Sequence, residues 1–285
     1  MFKSFQYGGQ AVIEGVMMRG PKSLAVAVRK PSGDIVVDSR QLHSWTDRFK
    51  FLKLPFLRGV VALFESMVWG VQILTYSASL AEDEEEESLS DQEIFFTVVL
   101  AIGLAVLLFV VLPTTAAHYL KPYLPSVWQN IFEGILRIAI FVCYVVGIGR
   151  MKDIQRVFQY HGAEHKVINA YEAGENLTVE AVQKYTTRHP RCGTSFMLFV
   201  LVLTVFLYSF LNTPDILSRI VSRILLLPLI AGIAYEIIKW SGNHAGNPLV
   251  KILIAPGLWL QSLTTSEPDD SQVEVAIAAL ESVLE

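Results

Sequence analysis

The stretch 94–112 reads IFFTVVLAIGLAVLLFVVL and contains nineteen residues without a charge. A helix of that length is long enough to cross the hydrocarbon core of a lipid bilayer. The composition of the whole chain agrees, because 52% of its residues are hydrophobic, 18% are charged and its mean hydropathy is +0.43. These values predict a membrane protein. The net charge of −4 gives no indication of nucleic-acid binding.

Three further apolar runs are expected to cross the membrane, namely 131–149, 195–211 and 224–238. Pro113 is expected to end the first span, because proline removes a helical hydrogen bond. The run 249–260 is too short to cross and is interrupted at Pro256, so we expect it to be interfacial or re-entrant.

The segment 57–80 is also apolar, but Arg58, Glu65 and Gln72 follow one another at every seventh position. Such a polar stripe is typical of a helix that lies in the membrane interface, and we therefore do not count this segment as a span. The acidic run 82–87 predicts a solvated linker.

The first 55 residues are mixed in character, and β-rich runs at 24–29 and 34–38 flank a turn and predict a hairpin. Apolar residues recur at helical spacing after Pro268 and predict a short amphipathic helix. The predicted fold class is therefore a mainly α polytopic membrane protein. It has about four transmembrane helices, a small N-terminal β-containing cytoplasmic region, and interfacial or re-entrant helices.

The distribution of Lys and Arg predicts the orientation in the membrane. Ten lie before the first span, seven lie in the loop between the second and third spans, and the two opposite turns contain only Lys121. This bias places both termini and the long loop in the cytoplasm, in a multi-pass protein of the bacterial inner membrane. The expected regions are 1–55 (cytoplasmic α/β region), 56–93 (interfacial helix and acidic linker), 94–150 (two spans), 151–194 (cytoplasmic His-rich loop), 195–263 (two spans and the re-entrant segment) and 264–285 (amphipathic tail).

The long loop contains the pattern H-x-x-E-H, formed by His161, Glu164 and His165. In a helix the two histidines lie on one face, where they could share a divalent metal ion, and Glu164 could act as a general base. The alternative is an interfacial helix in which these side chains make ordinary hydrogen bonds.

Three further residues are candidate metal ligands. His189 and Cys192 lie in the same loop, and Glu236 is an ionisable residue inside the fourth span. In the alternative interpretation the loop binds lipid headgroups through its arginines while Cys192 only packs, and Glu236 pairs with Lys239.

Several segments resemble the YqhQ-type family of bacterial membrane proteins: AVIEGVMMRGP at 11–21, KDIQRVFQYHGAEHK at 152–166, LTVE at 177–180 and HPRCGTSF at 189–196. The resemblance extends from about residue 8 to about residue 260, and the acidic run and the tail beyond Thr264 look like individual additions. Members of this family are described as predicted metal-dependent enzymes without an established substrate. The resemblance therefore implies a metal at His161 and His165, with His189 and Cys192 as further ligands.

The sequence predicts a membrane metalloenzyme with its site at the cytoplasmic face, acting as a hydrolase on a lipid or protein substrate. The expected cofactor is a divalent metal, with zinc as the best match, and the expected partner is the lipid bilayer. A closed structural zinc site is one alternative. Another is a non-enzymatic scaffold, assembly factor or transporter, in which Glu133, Arg137 and Glu236 relay ions. The sequence predicts no oligomeric state.

Overall fold

The computed structural model describes residues 7–42, 44–81, 90–211, 213, 215–244 and 246–284. The acidic run 82–87 lies outside these residues. Near the N-terminus, four strands form an antiparallel sheet in the order β1-β2-β3-β4. They are β1 (Gly8–Val12), β2 (Gly15–Arg19), β3 (Ser23–Arg29) and β4 (Ile35–Gln41). The pairing of β3 with β4 is the predicted hairpin, which is thereby confirmed.

The rest of the described chain is mainly helical, as predicted. The helices are α1 (Trp45–Arg48), a 3-10 turn (Lys50–Lys53), α2 (Leu57–Ala81), α3 (Asp91–Val106), a π-helical turn (Leu107–Val111), α4 (Leu112–Tyr119), α5 (Ser126–Ile148), α6 (Lys152–Ala173), α7 (Val179–Gln183), α8 (Gly193–Ser209), α9 (Ile216–Asn243), α10 (Pro248–Gln261) and α11 (Asp270–Glu281).

Four helices in the described part of the chain are long and apolar enough to cross a membrane. They are Leu57–Ala81, Gln92–Tyr119, Ser126–Ile148 and Ile216–Asn243. The number agrees with the prediction, but this set, which rests on length and composition alone, includes α2 and omits the predicted span 195–211. The second half of α2 packs on the sheet, so its inclusion does not contradict an interfacial position. The helix α2 meets these criteria because its polar stripe is too sparse to offset its apolar residues. The predicted span 195–211 forms α8, which is apolar but has only 17 residues, and α10 is shorter still with 14.

The helix α2 joins the sheet to the apolar helices. Its first half packs on α9, where Gly59 lies so close that a β-carbon would come within 2.7 Å of Tyr235. Its second half packs on one face of the sheet, where Ile73 is buried beside Val26 and Val28. The end of α9 is consequently held near the sheet.

Two prolines that were expected to end or interrupt helices are accommodated within them. The π-helical turn precedes Pro113, and the N–H of Leu112 donates to the carbonyl of Leu107, five residues back. The helix continues to Tyr119, because this local change of register accommodates the missing donor of proline. Pro256 lies inside α10, whose Gly257 packs against Ser195 of α8.

The opposite face of the sheet packs on α6 and α11. Val16 and Ala27 of the sheet, Val167 of α6, and Val273 and Leu280 of α11 belong to one buried cluster. The predicted amphipathic tail is therefore part of the main core of the sheet region. The spacing of its apolar residues indicated the helix, but only the tertiary structure shows that both α6 and the sheet cover it.

A group of buried charges joins the apolar helices. Glu133 of α5 is 1% exposed, and its carboxylate accepts hydrogen bonds from Arg137, Arg219 and Arg223. Thr114 is a fourth donor residue, whose hydroxyl lies 3.0 Å from the same carboxylate. One carboxylate thus faces three guanidinium groups, which makes Glu133 the acceptor shared by α4, α5 and α9.

We expect Glu133→Gln to destabilise the protein by about 3–5 kcal/mol, because it leaves three buried guanidinium groups without their common counterion. The measurement is thermal unfolding in detergent. Glu180→Gln on α7 is the matched control, since that side chain is 90% exposed, and its effect should stay within about 0.5 kcal/mol. Equal stability of the two variants would contradict a central role for Glu133.

Candidate metal centre

The helix α6 carries three of the predicted site residues. It ends at Gly174, which adopts the left-handed conformation with φ of 80° that commonly terminates helices. Tyr160, Ala163 and Val167 are buried in the core beside the sheet. His161 and His165 contact the loop that precedes α8 and the segment that connects α10 to α11.

The two imidazoles are neighbours, with ring centroids 4.4 Å apart. Nδ1 of His161 lies 2.9 Å from the carbonyl oxygen of Thr264, and Nδ1 of His165 lies 2.6 Å from that of Thr187. A carbonyl oxygen can only accept, so each Nδ1 carries the proton and each Nε2 keeps its lone pair in the neutral ring. This is the arrangement in which metal-binding histidines are usually held.

Cys192 completes a group of three donors. It is the N-cap residue of α8, and its Sγ lies 3.2 Å from Nε2 of His161. Each of His161, His165 and Cys192 offers one ligand atom, and these three atoms lie within 4.8 Å of one another. Imidazole nitrogen and thiolate sulfur are donors that zinc prefers, and three of them leave a fourth tetrahedral position open. The three side chains therefore fit a zinc ion.

A cavity of about 600 Å³ adjoins this group. His161, Glu164, His165 and Cys192 are among its lining residues. The backbone N–H of Gly9 in β1 donates to one carboxylate oxygen of Glu164 at 2.8 Å. Burial raises the pKa of Glu164, although the electrostatic interaction with His161 and the hydrogen bond from Gly9 oppose this effect. The predicted base therefore lies on the same cavity as the three donors.

His189 lies next to this group without belonging to it. Its ring centroid is 5.7 Å from that of His165, and its Nε2 is 3.6 Å from the carboxylate of Glu172. Burial opposes ionisation of Glu172, but His189 and Arg191 outweigh it and lower its pKa to about 2. Gln261 accepts from the backbone N–H of His189 at 2.9 Å and donates to its carbonyl at 2.8 Å. The His189 side chain thus faces a carboxylate rather than the three donors.

Glu236 is not brought to the donors either. Its two carboxylate oxygens accept hydrogen bonds from Nε and NH2 of Arg58, at 2.7 and 2.5 Å. The pairing follows from the packing of α2 on α9, which places Arg58 opposite Glu236. The alternative to metal binding had been an ion pair between Glu236 and Lys239, and the observed partner is Arg58 instead. Glu236 is not among the residues that line the cavity, whereas its neighbours on α9 are: Tyr235, Ile238 and Lys239.

Several residues that shape the centre were not singled out from the sequence. Thr187 and Thr264 act through backbone carbonyls, and Gln261 acts on the backbone of His189, so no side-chain pattern identifies them. Gly162 is a different case, because it lies inside the H-x-x-E-H pattern. A β-carbon there would come within 2.0 Å of the carbonyl oxygen of Ser266. Gly162 therefore allows the segment containing Thr264 to approach His161.

We expect Gly162→Ala to weaken zinc binding by about tenfold or more, because it displaces the carbonyl group that orients His161. The measurement is competition for zinc with a chromophoric chelator. Gly147→Ala in α5 is the matched control, since nothing lies within 4 Å of its added β-carbon, and it should bind zinc as the wild type does. Unchanged affinity in folded Gly162→Ala protein would show that this contact does not orient a ligand.

Comparison with known proteins places the chain in a family. A family model described as "Protein of unknown function (DUF1385)" matches residues 54–285. The uncharacterized protein YqhQ of Bacillus subtilis (strain 168) is 36% identical over 294 residues, which cover 98% of this chain and 92% of that protein. No solved structure matches.

The extent of these matches corrects one prediction and confirms another. The tail beyond Thr264 falls within the family model, so it is not an individual addition to this chain. The resemblance to the YqhQ-type family, first indicated by four short motifs, holds along almost the whole sequence. The chain belongs to the DUF1385 family and is YqhQ-like over almost its whole length.

Proposed function

We propose that this protein is a membrane-embedded metal-dependent hydrolase. His161, His165 and Cys192 would hold a divalent metal ion, and zinc matches their donor atoms best. When bound, such an ion acts as a Lewis acid and makes water a stronger acid at neutral pH. Neither His189 nor Glu236 is required in this proposal, because each faces another charged partner.

The observation that carries the proposal is the position of the three donors on the wall of a cavity. Structural zinc sites are usually closed by four protein ligands, whereas catalytic sites keep one position open to water and substrate. A volume of about 600 Å³ lies within the range of small-molecule binding sites. An open site with three protein ligands supports a catalytic ion over a structural one.

Glu164 is the candidate general base. It lines the same cavity as the donors, and Gly9 fixes one of its carboxylate oxygens. In this proposal the carboxylate accepts a proton from the attacking water and passes it to the leaving group. A β-carbon at Gly9 would come within 2.3 Å of the carbonyl oxygen of Met17 and 3.1 Å of Cγ of Glu164, so a larger residue would disturb β1 beside Glu164.

The location of the cavity supports a substrate in or at the membrane. Gly9 and Gln10 of the sheet line one part of it, while Ala62 and Ser66 of α2 and Tyr235 of α9 line another. The Lys and Arg distribution favours the cytoplasmic face of the bacterial inner membrane, with both termini in the cytoplasm. The substrate would be a lipid or a membrane-bound protein segment.

Metal analysis of detergent-purified protein tests the proposal. We expect about one zinc ion per wild-type chain and almost none in His161→Ala/His165→Ala. His244→Ala is the matched control, because that ring stacks on Trp240 away from the group, and it should retain zinc. A folded wild-type protein that binds no metal would refute the metal centre.

A second variant separates catalysis from structure. Glu164→Gln should retain zinc, because the residue is not a ligand, and should lose hydrolysis by at least about a hundredfold. Phospholipids and membrane peptides serve as substrates, and product release is followed by mass spectrometry. Zinc retention with unchanged hydrolysis would remove Glu164 from the mechanism. Zinc retention in a wild type that hydrolyses none of these substrates would favour a structural ion.

A further inference from the structure

A second cavity, of about 300 Å³, lies beside the candidate metal centre. Its lining residues are Arg19, Ser44, Thr46, Lys53, Arg58, Ala62, Glu65, Tyr235 and Lys239. Four of these nine residues are cationic and one is acidic. Such a concentration of positive charge in a chain with a net charge of −4 is a local feature of this cavity.

The two nearby carboxylates, those of Glu65 and Glu236, do not use all the hydrogen-bond donors of the arginines around this cavity. Glu65 accepts from the backbone N–H of Trp45 at 2.7 Å and from the hydroxyl of Ser44 at 2.9 Å, and it lies 4.0 Å from Arg19. Glu236 takes two of the three guanidinium nitrogens of Arg58. Donors of Arg19 and Arg58 therefore remain for an anion, and Lys239 adds a third cation. Arginine and lysine together are typical of phosphate recognition.

The chain that borders this cavity has the composition of a membrane-interface segment. Residues 45–58 contain four basic residues and one acidic residue. Six of its large apolar side chains are exposed, from 43% to 60%: Trp45, Phe49, Phe51, Leu54, Phe56 and Leu57. Aromatic residues interleaved with lysine and arginine are enriched at the level of lipid headgroups. This composition favours a position of the cavity at the level of the phosphate groups of a bilayer.

The end of this segment is fixed by an unusual backbone conformation. Phe56 has a φ of 68°, which is rare for a residue with a side chain. Its N–H donates to Glu236 at 3.3 Å, and a β-carbon at Gly232 would come within 2.7 Å of its carbonyl oxygen. The turn is thereby held on α9 with Arg58 facing the cavity. A strained turn held in place by its surroundings is typical of a binding site.

We propose that the smaller cavity binds the phosphate group of an anionic phospholipid, with the acyl chains on the exposed apolar side chains of 45–58. Arg19, Lys53, Arg58 and Lys239 contact the phosphate. Arg19, Ala62, Tyr235 and Lys239 line both cavities, so the bound headgroup lies next to the candidate metal centre. Headgroup binding does not need the metal; only its role in presenting a lipid substrate rests on the proposed function.

Native mass spectrometry of detergent-solubilised protein, titrated with phosphatidylglycerol or phosphatidylcholine, tests this proposal. The wild type should bind phosphatidylglycerol more tightly, because only that lipid carries a net negative charge. Lys53→Gln/Lys239→Gln should weaken its binding roughly tenfold. The control Lys152→Gln/Lys184→Gln removes the same charge from exposed positions outside both the cavity and the segment 45–58, and should change affinity by less than about twofold.

Three results would overturn the proposal: no preference for phosphatidylglycerol, an equal loss in both variants, or no loss in either. Inorganic phosphate distinguishes the two sources of the anion. It should not displace the lipid at equal concentration, because it lacks the acyl chains, and equal competition would assign the cavity to free phosphate. His161→Ala/His165→Ala should keep full lipid affinity while losing zinc, so failure of the metal centre would leave this result intact.

Discussion

The hydrogen bonds from His161 to the carbonyl of Thr264 and from His165 to the carbonyl of Thr187 determine the geometry of the candidate centre. They fix the protonated nitrogen of each ring, so both Nε2 atoms are available as ligands. The two carbonyls come from segments on either side of α8–α10. Their convergence on α6 therefore requires those apolar helices to return the chain to the sheet region. Gly162 allows the segment that contains Thr264 to approach His161.

The same return of the chain brings lipid-facing and polar elements together. The sheet is covered by α6 and α11 on one face and by the second half of α2 on the other. The first half of α2 then leads to α9, so that cavities lined by both regions form at the junction. The proposed hydrolase would need this arrangement, since a polar site that acts on a membrane-bound substrate must lie within reach of the bilayer.

Local periodicity predicted much of the fold and part of the centre. Nineteen uncharged residues identified a span, and the spacing of His161 and His165 placed both imidazoles on one helical face. The shared loop suggested that Cys192 lies near them, and its Sγ is 3.2 Å from Nε2 of His161. Residues whose partners lie far along the chain were harder to interpret. Glu236 pairs with Arg58, 178 positions away, and neither residue carries a local signal of that contact. Prolines 113 and 256 were misjudged because neighbouring backbone and helices accommodate them.

Zinc K-edge absorption spectroscopy of the zinc-loaded protein tests the central assignment most directly, because it reports the ligand atoms themselves. We predict one sulfur scatterer at about 2.3 Å and two imidazole nitrogens at about 2.0 Å, with the remaining position filled by a lighter atom. Cys192→Ser should remove the sulfur contribution while the imidazoles remain. A wild-type spectrum without sulfur, or one without imidazole, would contradict a metal centre formed by His161, His165 and Cys192.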